Sequence, residues 1–151
     1  MSNNAVLFAD QQQKSSAGIT TSSNNDLITQ QILLVDDNLI NQKLGLVLIK
    51  WLGYAAKIAG TGQEAIDAVA KNKYELILMD CQMPEMDGFE ATRRIRKAEI
   101  GTGRHIPIVA LTASELQQDQ KACVAAGMDG YLAKPVDMDQ LGDMIKQWMT
   151  K

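Results

Sequence analysis

The sequence predicts an α/β fold built on an open, doubly wound parallel sheet, and three observations carry that prediction. After residue 30, five strand-length apolar runs alternate with five segments of helical spacing. The runs are solidly apolar rather than alternating, as expected of strands covered on both faces. Their regular interleaving with helices implies βαβ units joined by right-handed crossovers.

The elements run in order. ILLV, Ile32 to Val35, reads as the first strand. In DDNLINQKLGLVLIKWLG the apolar residues Leu39, Ile40, Leu44, Val47, Leu48, Trp51 and Leu52 recur at helical spacing, and Gly53 ends the helix. A short strand over Ala55 to Ala59, a helix from Gly62 to Lys71, the strand YELILM and the helix FEATRRIRKA after Gly88 continue the cycle. IPIVAL, a helix from Ser114 to Ala126, DGYLA and a helix from Asp137 to Trp148 complete five strands and five helices. Residues 1–29 are rich in Gln, Ser, Thr and Asn, too polar to offset the entropy of ordering, and read as a flexible leader or linker. A short helix over Asn4 to Gln13 is the alternative there. Residues 30–151 form one domain, long enough to bury a core without disulfides or a structural metal.

Composition narrows the function. A net charge of −3 and a pI near 5.1, with no basic stripe, argue against nucleic-acid binding. No stretch reaches the ~18 apolar residues of a membrane span, and the N-terminus lacks the basic region of a secretion signal. Cys81 and Cys123 lie far apart, in no metal-ligand spacing, and read as small buried residues of a protein in a reducing compartment. The expected location is cytoplasmic, free or tethered through a longer membrane-bound parent.

Ligands of an open parallel sheet gather beyond the carboxyl ends of its strands. At those ends stand Asp36 and Asp37, Asp80, Thr112, and Lys134 with Pro135. Carboxylates converging on one edge raise one another's pKa unless a cation sits among them. Oxygen ligands favour a hard ion, and Mg2+ shares its sphere between carboxylates, waters and phosphate oxygens. A lysine and a hydroxyl beside such an ion supply the neutralisation and positioning that phosphoryl transfer needs. Each residue also has a plainer reading. Asp36 could be only the N-cap of the first helix, Thr112 the cap of the fourth, and Lys134 a solvated side chain. Glu85 and Asp87 read as loop surface.

VDD at 35–37, MDCQMPEMDG at 79–88, Thr112-Ala113 and Lys134-Pro135 together resemble the receiver domain of two-component response regulators, over residues 30 to 151. The resemblance, not the spacing, implies a flavodoxin-like sheet with strand order 2-1-3-4-5 and a role for each matching residue. By that resemblance Asp80 is the phosphoacceptor, taking a phosphoryl group from a partner's phosphohistidine as an acyl phosphate. It likewise implies that Asp37 binds Mg2+, or alternatively Mn2+, directly, that Asp36 acts through a coordinated water, and that the backbone carbonyl of Gln82 completes the protein's ligands. In such domains the lysine matched by Lys134 pairs with phosphoryl oxygens, its peptide bond to the proline matched by Pro135 is cis, and a small residue, here Ala113, leaves room for the phosphoryl group. Gln82 and Ser114 occupy positions that tune the acyl phosphate's lifetime. Thr112 and Tyr131 match a switch that reshapes the face of the fourth helix, fifth strand and fifth helix; the plainer reading of Tyr131 is a strand aromatic.

His105, the only histidine, lies in a loop, so the chain receives phosphoryl groups and is not itself the kinase. The chain is thus expected to be a signalling module that catalyses its own phosphorylation and dephosphorylation, not an enzyme acting on other substrates. No output module follows the fifth helix in this sequence. The polar leader, DDNLINQ and MDCQMPEMDG are most similar to receivers of hybrid sensor histidine kinases, which relay to a histidine phosphotransfer protein. The partners implied are a sensor histidine kinase, a histidine phosphotransfer protein or both, with the domain itself monomeric. A free-standing single-domain regulator is the alternative. An aspartate-nucleophile phosphatase is more remote, since such enzymes place a second Asp where Gln82 stands.

Overall fold

The computed structural model describes residues 5–7, 31–113 and 117–149. The elements are β1 (Ala5–Leu7), β2 (Gln31–Val35), α1 (Leu39–Trp51), β3 (Ala55–Ala59), α2 (Gly62–Lys71), β4 (Leu76–Asp80), α3 (Gly88–Glu99), β5 (Ile108–Thr112), α4 (Gln117–Ala126), β6 (Gly130–Ala133) and α5 (Met138–Met149). They form one sheet in the order β1-β6-β5-β4-β2-β3. From β3 to β6 every neighbouring pair is parallel. Counting only these parallel strands along the chain, the order is 2-1-3-4-5.

The sheet exceeds the expected five strands by one. β1 pairs antiparallel with β6, Ala5 opposite Leu132 and Leu7 opposite Gly130. These three residues come from the stretch that composition marks as a flexible leader, and they form a strand, not part of the alternative helix. The reason is local: Ala-Val-Leu is apolar, and β6 would otherwise end the sheet with a row of unpaired backbone groups. The rest of residues 1–29 lies outside the described residues, as does Ser114.

The pleat sends alternate residues to opposite faces. Leu33, Ile77, Met79 and Ala110 pack with Ala65 of α2, Ala91 and Ile95 of α3 and Cys123 of α4. Leu34, Leu78, Leu111 and Leu132 pack with Ile49 of α1 and Leu141, Met144 and Ile145 of α5. β4 and β5 are buried along their whole length, which explains their unbroken apolar runs.

Side chains at the loop ends fix the helix starts. Asn38 caps α1 by accepting from Asn41 N–H, Thr61 caps α2 through Glu64 N–H, and Asp87 caps α3 through Glu90 N–H. The N-cap of α1 is therefore Asn38 and not Asp36; Asp87, although exposed, is more than loop surface. α1 turns only Ile49 fully inward. Leu39, Ile40, Leu44, Val47 and Trp51, all part of its apolar pattern, face solvent, with Ile40 74% and Trp51 75% exposed.

Candidate functional site

The strand ends bring the predicted acids together. Asp36 follows β2 and is 1% exposed; Asp80 is the last residue of β4 and is 4% exposed; Asp37 is exposed. One carboxylate oxygen from each of the three lies within 4.8 Å of the others. Lys134, just beyond β6, reaches into the cluster: its Nζ lies 3.1 Å from Asp80 Oδ1 and 3.4 Å from Asp36 Oδ2. The Lys134–Pro135 peptide is cis. Gln82 N–H also donates to Asp80 Oδ1, at 3.2 Å.

The loop after Asp80 is held by its backbone. Cys81 N–H donates to Leu111 O, and Cys81 O accepts from Gly88 N–H, each at 3.1 Å. Gly88 is required here because a Cβ at this position would collide with the carbonyl of Asp80. Glu85, exposed in the same loop, adopts a positive φ of 69°.

Asp36 has supporters that sequence reasoning does not single out. Its Oδ1 accepts from Asn38 N–H at 2.9 Å and from Asn41 Nδ2 at 3.5 Å, while Gln42 Nε2 donates to its carbonyl at 2.7 Å. The only signal for them in the sequence is an unusually polar first turn on an otherwise apolar helix.

The electrostatics arise from burial and one cation. Burial pushes the Asp80 carboxyl above the ordinary carboxylate range, against the hydrogen bond from Lys134, which acts to lower it. Burial likewise disfavours charge on Lys134, but its hydrogen bond to Asp80 and attraction to both acids hold it above the ordinary lysine range. With Asp36, Asp37 and Asp80 ionised beside one ammonium group, the cluster carries an excess of two negative charges. An all-oxygen donor set with that excess fits a hard divalent cation such as Mg2+.

The remaining predicted residues sit close by. Thr112 ends β5 and is buried, its carbonyl accepting from Lys134 N–H at 2.8 Å; Ala113 after it is exposed. Tyr131 is buried in β6, and its hydroxyl accepts a hydrogen bond from Gln120 Nε2 of α4 at 2.8 Å. His105 is exposed, yet its Nε2 lies 2.8 Å from Asp129 Oδ1, far from the acids at the opposite edge of the sheet. Both cysteines are buried.

The family model of the response regulator receiver domain matches residues 32–146. The chain belongs to this family. Among curated relatives, hybrid signal transduction histidine kinase B of Dictyostelium discoideum is 45% identical over 129 residues, covering 79% of this chain but 7% of the kinase. The receiver domain thus spans a small part of that relative. Among solved structures, the receiver domain of sensor histidine kinase PA1611 from Pseudomonas aeruginosa, with magnesium coordinated in its active-site cleft, matches with a TM-score of 0.74 and 41% identity over 82% of this chain and 99% of that one. The receiver domain of Saccharomyces cerevisiae Ssk1, solved with the histidine phosphotransfer protein Ypd1, matches with a TM-score of 0.73 and 35% identity over 80% of this chain and 88% of that one. This receiver domain is of the kind found in two-component signalling and carried by hybrid histidine kinases. No helix among its described residues is long and apolar enough to cross a membrane.

Proposed function

We propose that this receiver domain accepts a phosphoryl group on Asp80 from a partner's phosphohistidine and passes it on within a phosphorelay. The observation that carries the reading is the convergence of Asp36, Asp37 and Asp80 with Lys134 bridging two of them. An Asp80 oxygen attacks phosphorus, the P–N bond to the imidazole breaks, and the acyl phosphate forms on the carboxylate. Asp80 must be ionised to do this, and Lys134 opposes the effect of its burial. As charge builds on the phosphoryl oxygens, Lys134 pairs with them and the Thr112 hydroxyl donates to them. Asp36, Asp37, Asp80 and the carbonyl of Gln82 are the groups that would hold Mg2+. When bound, that ion neutralises charge on the phosphoryl oxygens. We expect Gln82 and Ser114 to set how long the acyl phosphate lasts, through access of water to it.

The donor docks on α1. Its exposed stripe of Ile40, Leu44, Val47 and Trp51 adjoins a hollow lined by Asn41, Leu44, Val136 and Leu141 that opens beside Asp36 and Lys134. An apolar helix face bordering the acids suits a partner helix that carries the phosphohistidine. Tyr131 is already packed inward against α4, so we read phosphorylation as stabilising a packing that the resting protein samples. Two free thiols suit a reducing cytoplasm, where we place the domain.

The test is phosphotransfer followed in both directions. With a labelled phosphohistidine phosphotransfer protein and Mg2+, label should move rapidly to the receiver and back, and Asp80→Asn should carry none. Mg2+ alone should raise the melting temperature, and Asp37→Asn should abolish that rise. One-way labelling that yields a long-lived phosphoprotein would favour a free-standing regulator over the relay. Failure of Asp80 to take label from both the protein donor and acetyl phosphate would remove the reading altogether.

A further inference from the structure

Asp36 is held at every polar atom. Its N–H donates to Ala59 O at 3.1 Å, and its carbonyl accepts from Gln42 Nε2 at 2.7 Å. Oδ1 accepts from Asn38 N–H at 2.9 Å and from Asn41 Nδ2 at 3.5 Å, while Oδ2 faces Lys134 Nζ at 3.4 Å. Gln42 links these contacts, because its own N–H donates to Asn38 O at 2.9 Å. The backbone and side chain of one residue thus hold both ends of the turn from Asp36 to Asn38, and that turn supplies the N–H that keeps Oδ1 in place. We propose that Gln42 is a positioning residue that restricts Asp36 to one oxygen facing the acid cluster, and that this restraint makes the site select Mg2+ over Ca2+.

The inference rests on the reading of the acids as a site for a divalent ion and a phosphoryl group. The two ions ask different things of a carboxylate. Ca2+ gathers roughly six to eight oxygens in flexible geometry and readily takes both oxygens of one carboxylate. Mg2+ demands near-octahedral geometry at short range, which the narrow bite of a carboxylate fits poorly, and keeps several waters. For Asp36 to offer both oxygens, Oδ1 must leave Asn38 N–H and the turn must open. Asp36 is 1% exposed, so its carboxylate swings only if the chain around it moves. Gln42 resists that movement from outside the cluster: its amide meets the carbonyl, not the carboxylate, and carries no charge. Removing the amide leaves the charge of the cluster unchanged and alters only the restraint. Selectivity is thereby separable from attraction, since losing an acid weakens every divalent ion.

The full chain and Gln42→Met, which keeps the length of the side chain without its donor, are checked for folding by circular dichroism. Their melting temperatures are then followed as magnesium chloride or calcium chloride is titrated. The ratio of Mg2+ to Ca2+ affinity should fall about tenfold in Gln42→Met, as expected when a group that orients a ligand is removed. Gln42→Lys returns a donor and adds a charge that acts on both ions alike, so the ratio should recover. Asn41→Ala removes the second donor to Oδ1 and should shift the ratio in the same direction to a smaller extent, so the test does not depend on Gln42→Met folding. Without metal, amide exchange at residues 36–38 should quicken about tenfold in Gln42→Met. An unchanged ratio in Gln42→Met and Asn41→Ala overturns the proposal, whether the two affinities fall together or stay as they were; a ratio that Gln42→Lys does not restore overturns it equally. A parent chain that Mg2+ does not stabilise overturns the reading of the site as well, whereas a parent that binds Mg2+ and accepts phosphate while the variants keep its ratio overturns the role of Gln42 alone.

Discussion

Asp80 trades stability for chemistry, and a pH series can separate the two. Its folded carboxyl is raised above the ordinary carboxylate range, chiefly by burial, so the folded state holds that proton more tightly than the unfolded chain does. Whatever stability the raised carboxyl offers is present at low pH and lost as pH rises through its folded titration. At neutral pH the ionised group is thus a liability. Asp80→Asn should be more stable than the parent at pH 7 by ~1 kcal/mol in urea unfolding. The gain should shrink as pH falls to where an ordinary carboxyl protonates, because folded and unfolded carboxyls then both carry the proton. A loss of stability at pH 7 would show that the Lys134 contact outweighs the burial. The acids and Lys134 were readable in advance because a charged residue ending a buried strand has few structural uses. Asn38 and Gln42 were not, since a polar side chain in a first turn looks the same whether it caps the helix or holds Asp36.

α1 shows what periodicity does and does not determine. Helical spacing of Leu39, Ile40, Leu44, Val47, Leu48, Trp51 and Leu52 correctly indicates a helix, but spacing cannot say how much of its apolar surface the rest of the chain covers. Close approach to β2 at Gly45, where a Cβ would press on the Leu34 side chain, leaves only a narrow strip inside. Ile40→Ala and Trp51→Ala should therefore change stability by less than about 0.5 kcal/mol. If α1 is the docking face, the same changes should slow transfer from a phosphotransfer protein about tenfold or more, since buried aromatics dominate interface energies, while leaving labelling by acetyl phosphate intact. Equal loss with both donors would place the defect in the site and refute docking there. The loop before α3 behaves in the opposite way. Gly88→Ala sets a Cβ against the Asp80 carbonyl, where backbone cannot yield as a side chain does. It should cost at least ~2 kcal/mol and reduce Asp80 phosphorylation together with stability.

The two ends of the sheet divide the labour. At the carboxyl ends three acids crowd around one lysine; at the amino ends of β5 and β6 two largely buried carboxylates share one arginine and accept backbone N–H groups as well. Arg96 of α3 donates to Gly127 O at 2.9 Å, Glu99 Oε1 at 2.7 Å and Asp129 Oδ2 at 2.8 Å. Asp129 also accepts from Ile108 N–H at 2.9 Å and meets His105, while Glu99 accepts from Ile106 N–H at 2.8 Å. One network thus ties α3, the loop into β5 and the turn into β6. The sequence concealed it, because its members are scattered along the chain and only the strand order 2-1-3-4-5 brings them together. The alternation of elements revealed the sheet and its functional edge, whereas the added strand β1 and this far-edge network depend on tertiary contacts that local pattern does not encode. Arg96→Ala leaves two largely buried carboxylates without their cation and should cost about 3 kcal/mol in urea unfolding. Asp129→Asn in that background should cost much less than it does alone, since the charge it removes no longer has its partner. Phosphorylation of Asp80 by acetyl phosphate, measured at a temperature where the variant is fully folded, should stay within about twofold of the parent, because the network stands at the opposite edge from the acids. A rate that fell further in a fully folded variant would mean that the two edges are coupled, and the division of labour between them would not hold.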